Sequence, residues 1–164
     1  MKLKHEIFIV KIIALTIILI TLWEISASAT TRASISRLFM RYNRNLSRKQ
    51  ANHFADLTFE AGAEYHVSPA LIAAIIVCES SARPSVISKT GDYGLMQIHY
   101  NAHKNKISKR SDLFNPRINI FLGTRIFSQY CKGRTLRSAL TRYSGGNKSY
   151  ASKVIRMLRN IQRR

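Results

Sequence analysis

Glu79 stands apart from the other acidic residues, of which there are eight Asp and Glu in all, because of what precedes it. It closes the run Ala70-Leu71-Ile72-Ala73-Ala74-Ile75-Ile76-Val77-Cys78, apolar at almost every step. Burial disfavours the charged form of a carboxyl, so a glutamate in such surroundings has a raised pKa. A carboxyl that titrates near neutrality can give a proton to a leaving oxygen, such as that of a sugar bond, and take one back. The competing reading is that Glu79 ends its helix and turns outward into water. Glu60 and Glu64 lie one helical turn apart on a polar face with no apolar run before them, and they read as solvated charges.

A second cluster is Gly91-Asp92-Tyr93-Gly94-Leu95-Met96-Gln97-Ile98. Its glycines let backbone approach a ligand closely, and Gln97 offers the paired donor and acceptor suited to sugar hydroxyls and amides. Met96 reads equally well as core packing. Asp92 has two readings. It is either a second carboxylate partnering Glu79, as retaining sugar hydrolysis requires at about 5–5.5 Å, or a turn aspartate bonded to its own backbone. Cys78 and Cys131 are the two cysteines. They could form one bridge if their Cα atoms come within ~7 Å, or they are two separate core thiols.

The elements that must position these residues are helical. Residues 1–29 read as an export signal: Lys2, Lys4 and Lys11 precede the apolar stretch Ile12 to Trp23, and Ala27-Ser28-Ala29 follows as a cleavage site. The apolar stretch is short for a hydrocarbon core of roughly 30 Å, so cleavage is favoured over retention as a membrane anchor. Residues 30–46, with Arg32, Arg37, Arg41 and Arg44, read as a mobile basic arm. The remainder, 47–164, reads as one small domain. Ser47 caps a helix carrying Ala51, Phe54, Ala55, Thr58, Ala61 and Tyr65. Ser68-Pro69 opens the apolar central helix, which Pro84 stops. Turn formers from Ser88 to Gly94 predict a loop or short hairpin near residues 86–98. Asn115-Pro116 opens a helix whose apolar set is Ile118, Phe121, Leu122, Ile126 and Tyr130, and Gly133 ends it. Thr135 caps a short helix to Tyr143, Ser144-Gly145-Gly146 breaks it, and a last helix carries Tyr150, Val154, Leu158 and Ile161. The fold class is mainly α.

The chain carries 27 Lys and Arg and a formal net charge of +19, so its natural partner is a polyanion. Some of this charge serves only to keep the surface solvated. Export and the lack of a recognition motif argue against nucleic acid and leave acidic lipid and peptidoglycan, with its peptide carboxylates.

Four separated motifs then occur in order: Glu79-Ser80; Gly94-Leu95-Met96-Gln97-Ile98; Asn119-Ile120 with Gly123; and Tyr143 with Gly146. In order and spacing, over roughly residues 50 to 160, they resemble the soluble lytic transglycosylase (SLT) domain. The short length and the leader look like the specialised members that accompany secretion or conjugation machines. The resemblance implies a lysozyme-like helical fold and cleavage of peptidoglycan between N-acetylmuramic acid and N-acetylglucosamine, with no metal and no cofactor. It assigns proton transfer to Glu79, with Ser80, Gly94, Met96, Gln97 and Tyr143 as the substrate-binding set. The muramic acid's own C6 hydroxyl closes on C1 to give a 1,6-anhydro product. It also implies that the helix ending at Cys131 packs beside the one carrying Cys78, so that a bridge would clamp Glu79. Two positions depart from the pattern: Tyr143-Ser144-Gly145-Gly146 replaces Tyr-Asn-Ala-Gly, and His99 stands where asparagine is frequent. The expected chain is thus an exported, periplasmic monomer acting on glycan strands, with inner-membrane anchoring as the variant. The alternatives are a hydrolytic lysozyme using Glu79 and Asp92, and a non-catalytic module that binds the wall or a secretion complex.

Overall fold

A computed structural model describes residues 32–163. The predicted leader lies outside the described residues. Helix α1 covers 32–42, α2 Arg48–Tyr65 and α3 Pro69–Ser80; a minimal hairpin, β1 Asp92–Tyr93 and β2 Ile98–His99, follows. A short helix α4, Tyr100–His103, and two 3-10 turns lead to α5 Pro116–Cys131, α6 Leu136–Tyr143 and α7 Lys148–Gln162. The strands pair antiparallel with Asp92 opposite His99 and Tyr93 opposite Ile98. This is the mainly α, lysozyme-like class that the sequence predicts.

The helix starts follow from local chemistry. Ser47 and Gln50 form a reciprocal capping box on α2. Pro69 occupies the first turn of α3, where no backbone N–H is needed. The Asn115 side chain accepts from Arg117 N and Ile118 N at the head of α5. Helix α3 ends earlier than Pro84 would require, because Ser81 and Ala82 both adopt left-handed backbone. Asn43 Nδ2 holds the Ala82 carbonyl at 3.0 Å, tying the end of α1 to this turn.

Helix α3 is the axis of the core. Leu71 through Val77 are all buried, as an element apolar on every face demands. It packs on α7 and α2, α5 packs on α2 and α6, and α6 packs on α7. A smaller apolar cluster, Tyr93, Ile98, Ile107, Leu113 and Ile126, supports the hairpin. Glu79, one residue from the end of α3, therefore emerges where the two clusters meet.

Three expectations are corrected. Of the described part of the predicted arm, 32–46, residues 32–42 form a helix with Ile35 and Phe39 fully buried. The residues Ile35, Leu38 and Phe39 form a helical stripe that the surrounding arginines obscure in the sequence. Phe39 packs edge-on against Phe54, with ring centroids 6.5 Å apart. On α5 the buried face runs through Asn119, Ile120, Gly123, Thr124, Ile126 and Phe127, whereas Ile118 is 40% exposed. The helix is rotated relative to its most apolar stripe because Gly123 and Thr124 face Met96. Glu60 is also not simply solvated, since it pairs with Arg117 on α5.

Because α1 contributes to the common core, Phe39→Ala is expected to cost about 3–5 kcal/mol of folding stability. Chemical denaturation measures it, and a loss under about 1 kcal/mol would show α1 to be peripheral.

Candidate active site

The hairpin loop must come close to α5, and this decides two residues. A Cβ on Gly94, whose φ is +75°, would stand 2.3 Å from the Leu113 carbonyl and 2.4 Å from Asn119 Nδ2. A Cβ on Gly123 would meet Met96 Sδ at 2.6 Å. Asn119, 1% exposed, fills the gap chemically: Oδ1 accepts from Met96 N at 2.7 Å, and Nδ2 donates to the Tyr93 and Leu113 carbonyls, each at 2.8 Å. One buried amide thus satisfies two backbone groups of a loop too irregular to pair them itself and one of the 3-10 turn that precedes α5.

Two more side chains fasten the same loop. Ser80 Oγ, buried at the end of α3, contacts the Leu95 carbonyl at 2.8 Å and that of Ile76 at 3.1 Å. Tyr143 Oη donates to the Met96 carbonyl at 2.9 Å while its ring packs edge-on against Phe127. Gln97, with φ of +47°, commits its amide N–H groups to the Gly94 and Val86 carbonyls.

The loop, α3, α5 and the α6–α7 connection enclose a cleft of about 520 Å³, with Glu79, Asp92, Gln97, His99, Tyr143 and Tyr150 on its walls. Of the predicted set, the structure brings Glu79, Gln97 and Tyr143 to the cleft. Ser80 and Met96 are buried behind it, and Gly94 is the close-approach point; these three shape the loop and do not line the cavity.

Burial pushes the Glu79 carboxyl up to about 7. Polar contact with Tyr150 offsets part of this, the negative charge of Asp92 adds to it, and the Lys153 ammonium works against it. Tyr150 Oη is buried beside this carboxyl but falls short of full hydrogen-bond geometry to any described residue. Burial and the Glu79 charge raise its pKa far above that of a free phenol, so it stays a neutral donor. Lys153 Nζ donates to the Cys78 carbonyl at 3.0 Å, which fixes its ammonium at the end of α3.

Asp92 is held quite differently. Burial alone would raise its pKa, but hydrogen bonds from Ser88, Thr90 and His99 outweigh it and hold the carboxyl below its ordinary value. Ser88 Oγ and Thr90 Oγ1 donate to Oδ2 at 2.6 and 2.5 Å, and His99 Nδ1 meets Oδ1 at 3.0 Å. Both oxygens are engaged, and Asp92 is a loop-closing carboxylate. Two carboxyls on one cleft are thus driven apart, one toward the neutral acid and one toward the anion.

The predicted bridge is not made: Cys78 and Cys131 are free thiols. Both helices pack on α2, but α3 otherwise turns to α7 and α5 to α6. Burial pushes Cys78 up to about 11 and raises Cys131 as well, so both stay protonated. Tyr150 is a cleft residue missed in the sequence, where it is counted into the apolar face of α7; Lys153, whose ammonium acts on Glu79 from the end of α3, is not singled out there at all.

Asn119→Ala is expected to cost about 3 kcal/mol or more, since each buried backbone group left unpaired costs roughly 1–3 kcal/mol. Faster hydrogen exchange at the Met96 amide would locate the damage. The raised Glu79 pKa also makes a signed prediction. Below about pH 4.5 both folded and unfolded chains hold the proton and the site carries no penalty; as pH rises the unfolded chain ionises first, and stability falls until about pH 7. The loss is on the order of 3 kcal/mol. Glu79→Gln should therefore melt several degrees above the native chain at pH 8 and close to it at pH 4.5; equal melting at pH 8 would show that the carboxyl is not confined.

Comparison with known proteins adds a family to this fold. The transglycosylase SLT domain family matches residues 56–157, which include Glu79, the 91–98 loop, Asn119, Tyr143 and Tyr150. Similar proteins include the endo-type membrane-bound lytic murein transglycosylases A of Citrobacter koseri and Klebsiella pneumoniae, each 34% identical over 96 residues. That of Cronobacter sakazakii is 33% identical over the same length. In each case the match covers 53% of this chain and 47% of the relative, so the chain spans about half the length of these curated relatives. With its fold, its loop architecture and the greater part of its length in agreement, the chain belongs to the transglycosylase SLT domain family.

Proposed function

We propose that this chain is a peptidoglycan lytic transglycosylase in which Glu79 is the single acid and base. The observation that carries the reading is the unequal state of the two cleft carboxyls: Glu79 titrates near 7, while both oxygens of Asp92 are tied into the loop. A glycan strand lying in the cleft places the bond between N-acetylmuramic acid and N-acetylglucosamine at Glu79. Protonated Glu79 gives its proton to the bridging oxygen as the bond from C1 breaks. The C6 hydroxyl of the same muramic acid then attacks C1 and returns a proton to Glu79, forming the 1,6-anhydro ring. No water is consumed, and the carboxyl ends in the form in which it began. The neutral hydroxyl of Tyr150 and the ammonium of Lys153 stabilise Glu79 while it is ionised between the two transfers.

The net charge suits an anionic wall, and the leader predicted over 1–29 suits a periplasmic site of action, with inner-membrane retention as the variant. Local opening of the wall for a secretion or conjugation apparatus is the biological role we assign to this strongly basic chain.

Mass analysis of digested sacculi distinguishes the chemistries. Anhydro ends are expected, whereas reducing ends would assign a lysozyme that uses Asp92 as its second carboxylate. Glu79→Gln should lower the rate by at least ~10³-fold with the fold retained, because the amide keeps the shape and cannot exchange a proton. Asp92→Asn should keep substantial turnover. Folded Glu79→Gln protein with undiminished turnover would take Glu79 out of the mechanism, whereas full biological activity from a Glu79→Gln variant that has lost turnover would point to a non-catalytic wall-binding module.

A further inference from the structure

The cleft does not end at the catalytic carboxyl. Beyond the α6–α7 turn the surface sinks again into a depression of about 800 Å³, and Tyr130, Arg142 and Gly145 line both it and the cleft. Its walls carry Arg134, Arg137, Arg142 and Lys148, interspersed with the hydroxyls of Thr135, Ser138 and Thr141, and no acid. The cause is local. Arg134 precedes the α6 cap, Arg137 is the second residue of α6, Arg142 lies near its end, and Lys148 opens α7, so a sharp glycine turn folds four cations around one hollow.

These cations are not neutralised internally. Ion pairs among the described residues join Arg32 to Asp56, Arg117 to Glu60 and His99 to Asp92, and none involves the hollow. Arg137 gives one hydrogen bond to Ser152 Oγ and Arg134 one to the Lys132 carbonyl, both neutral acceptors, which leaves most donors of each guanidinium free. The Arg142 guanidinium lies over the Tyr130 ring, 5.4 Å from its centroid, so the seam between cleft and hollow is itself cationic. Guanidinium forks match carboxylates with two parallel hydrogen bonds.

We propose that this hollow binds the carboxylates of the stem peptide borne by a muramic acid next to the one being cleaved. The inference rests on the glycan-cleaving function proposed above. A strand seated in the cleft carries a peptide on every muramic acid, and continuity through Tyr130, Arg142 and Gly145 brings one such peptide over the hollow. The enzyme then reads whether a strand still carries its peptides, through charge contacts remote from the bond that breaks.

The test compares two substrates: glycan strands with intact stems, and the same strands after an amidase has removed the stems. The full chain should prefer the first in kcat/KM, and that preference should fall as salt rises, because exposed charges are screened beyond about 8 Å at physiological ionic strength. In R134Q/R137Q/K148Q the preference should fall by about tenfold, the combined effect of three exposed charge contacts. Arg142 is left in place because it also borders the cleft. R134K/R137K, which keeps the charge and loses the forks, should retain an intermediate preference, and circular dichroism of each variant verifies the fold. An unaltered preference in the triple variant, or an equal loss on both substrates, overturns the proposal and gives the hollow to another anionic partner such as an acidic protein face. Failure of the native chain to cleave either substrate is a different result and overturns the glycan-cleaving reading itself.

Discussion

Everything at the cleft depends on keeping one carboxyl out of bulk water at the end of an apolar helix. Desolvation of Glu79 opposes folding at neutral pH, so the surrounding structure has to hold it there. Helix α3 does so by being buried along seven consecutive positions, Leu71 to Val77, and so it cannot shift outward to relieve its last turn. The flanking helices do so by enclosing it. Most of the fold can be read as the packing needed to keep that final turn immobile.

The loop opposite Glu79 is positioned by a different device. It has almost no regular pairing, with two residues per strand, yet it must present Gln97 and Asp92 at fixed depth. Side chains from three helices reach into it instead: Ser80 from α3, Asn119 from α5 and Tyr143 from α6. Each bonds a main-chain group of the 93–96 segment, so the loop's geometry is inherited from the helices. Gly94 and Gly123 are required for the same reason, since backbone and side chain meet there at distances that admit no Cβ. Ser80, Gly94, Met96, Asn119, Gly123 and Tyr143 of this chain are thus largely attachment points.

Local chemistry made much of this readable in advance. Ser47, Pro69, Asn115 and Thr135 mark helix starts because caps and first-turn prolines act within a few residues of themselves. Glu79 could be singled out because its apolar run is contiguous. What stayed hidden depends on partners distant in the chain. Ile35 and Phe39 are masked by neighbouring arginines, and only contact with Phe54 reveals α1 as core. The buried face of α5 is set by Met96, not by its own most apolar stripe. Tyr150 has the spacing of a packing residue and turns out to face the carboxyl, a distinction made by the angle at which α7 meets α3. The short helix and 3-10 turns between residues 100 and 114 carry no periodic signal.

The two free thiols bear on how this protein matures. Cys78 and Cys131 are half-buried, protonated and unbridged. Among the described residues no covalent link therefore contributes to the placement of α3 or α5, and the core assembles from apolar contacts, caps and the side-chain bonds of Ser80, Asn119 and Tyr143. A domain built in this way reaches its final form without an oxidase or an isomerase, and it reaches the same form in a reducing compartment as in an oxidising one.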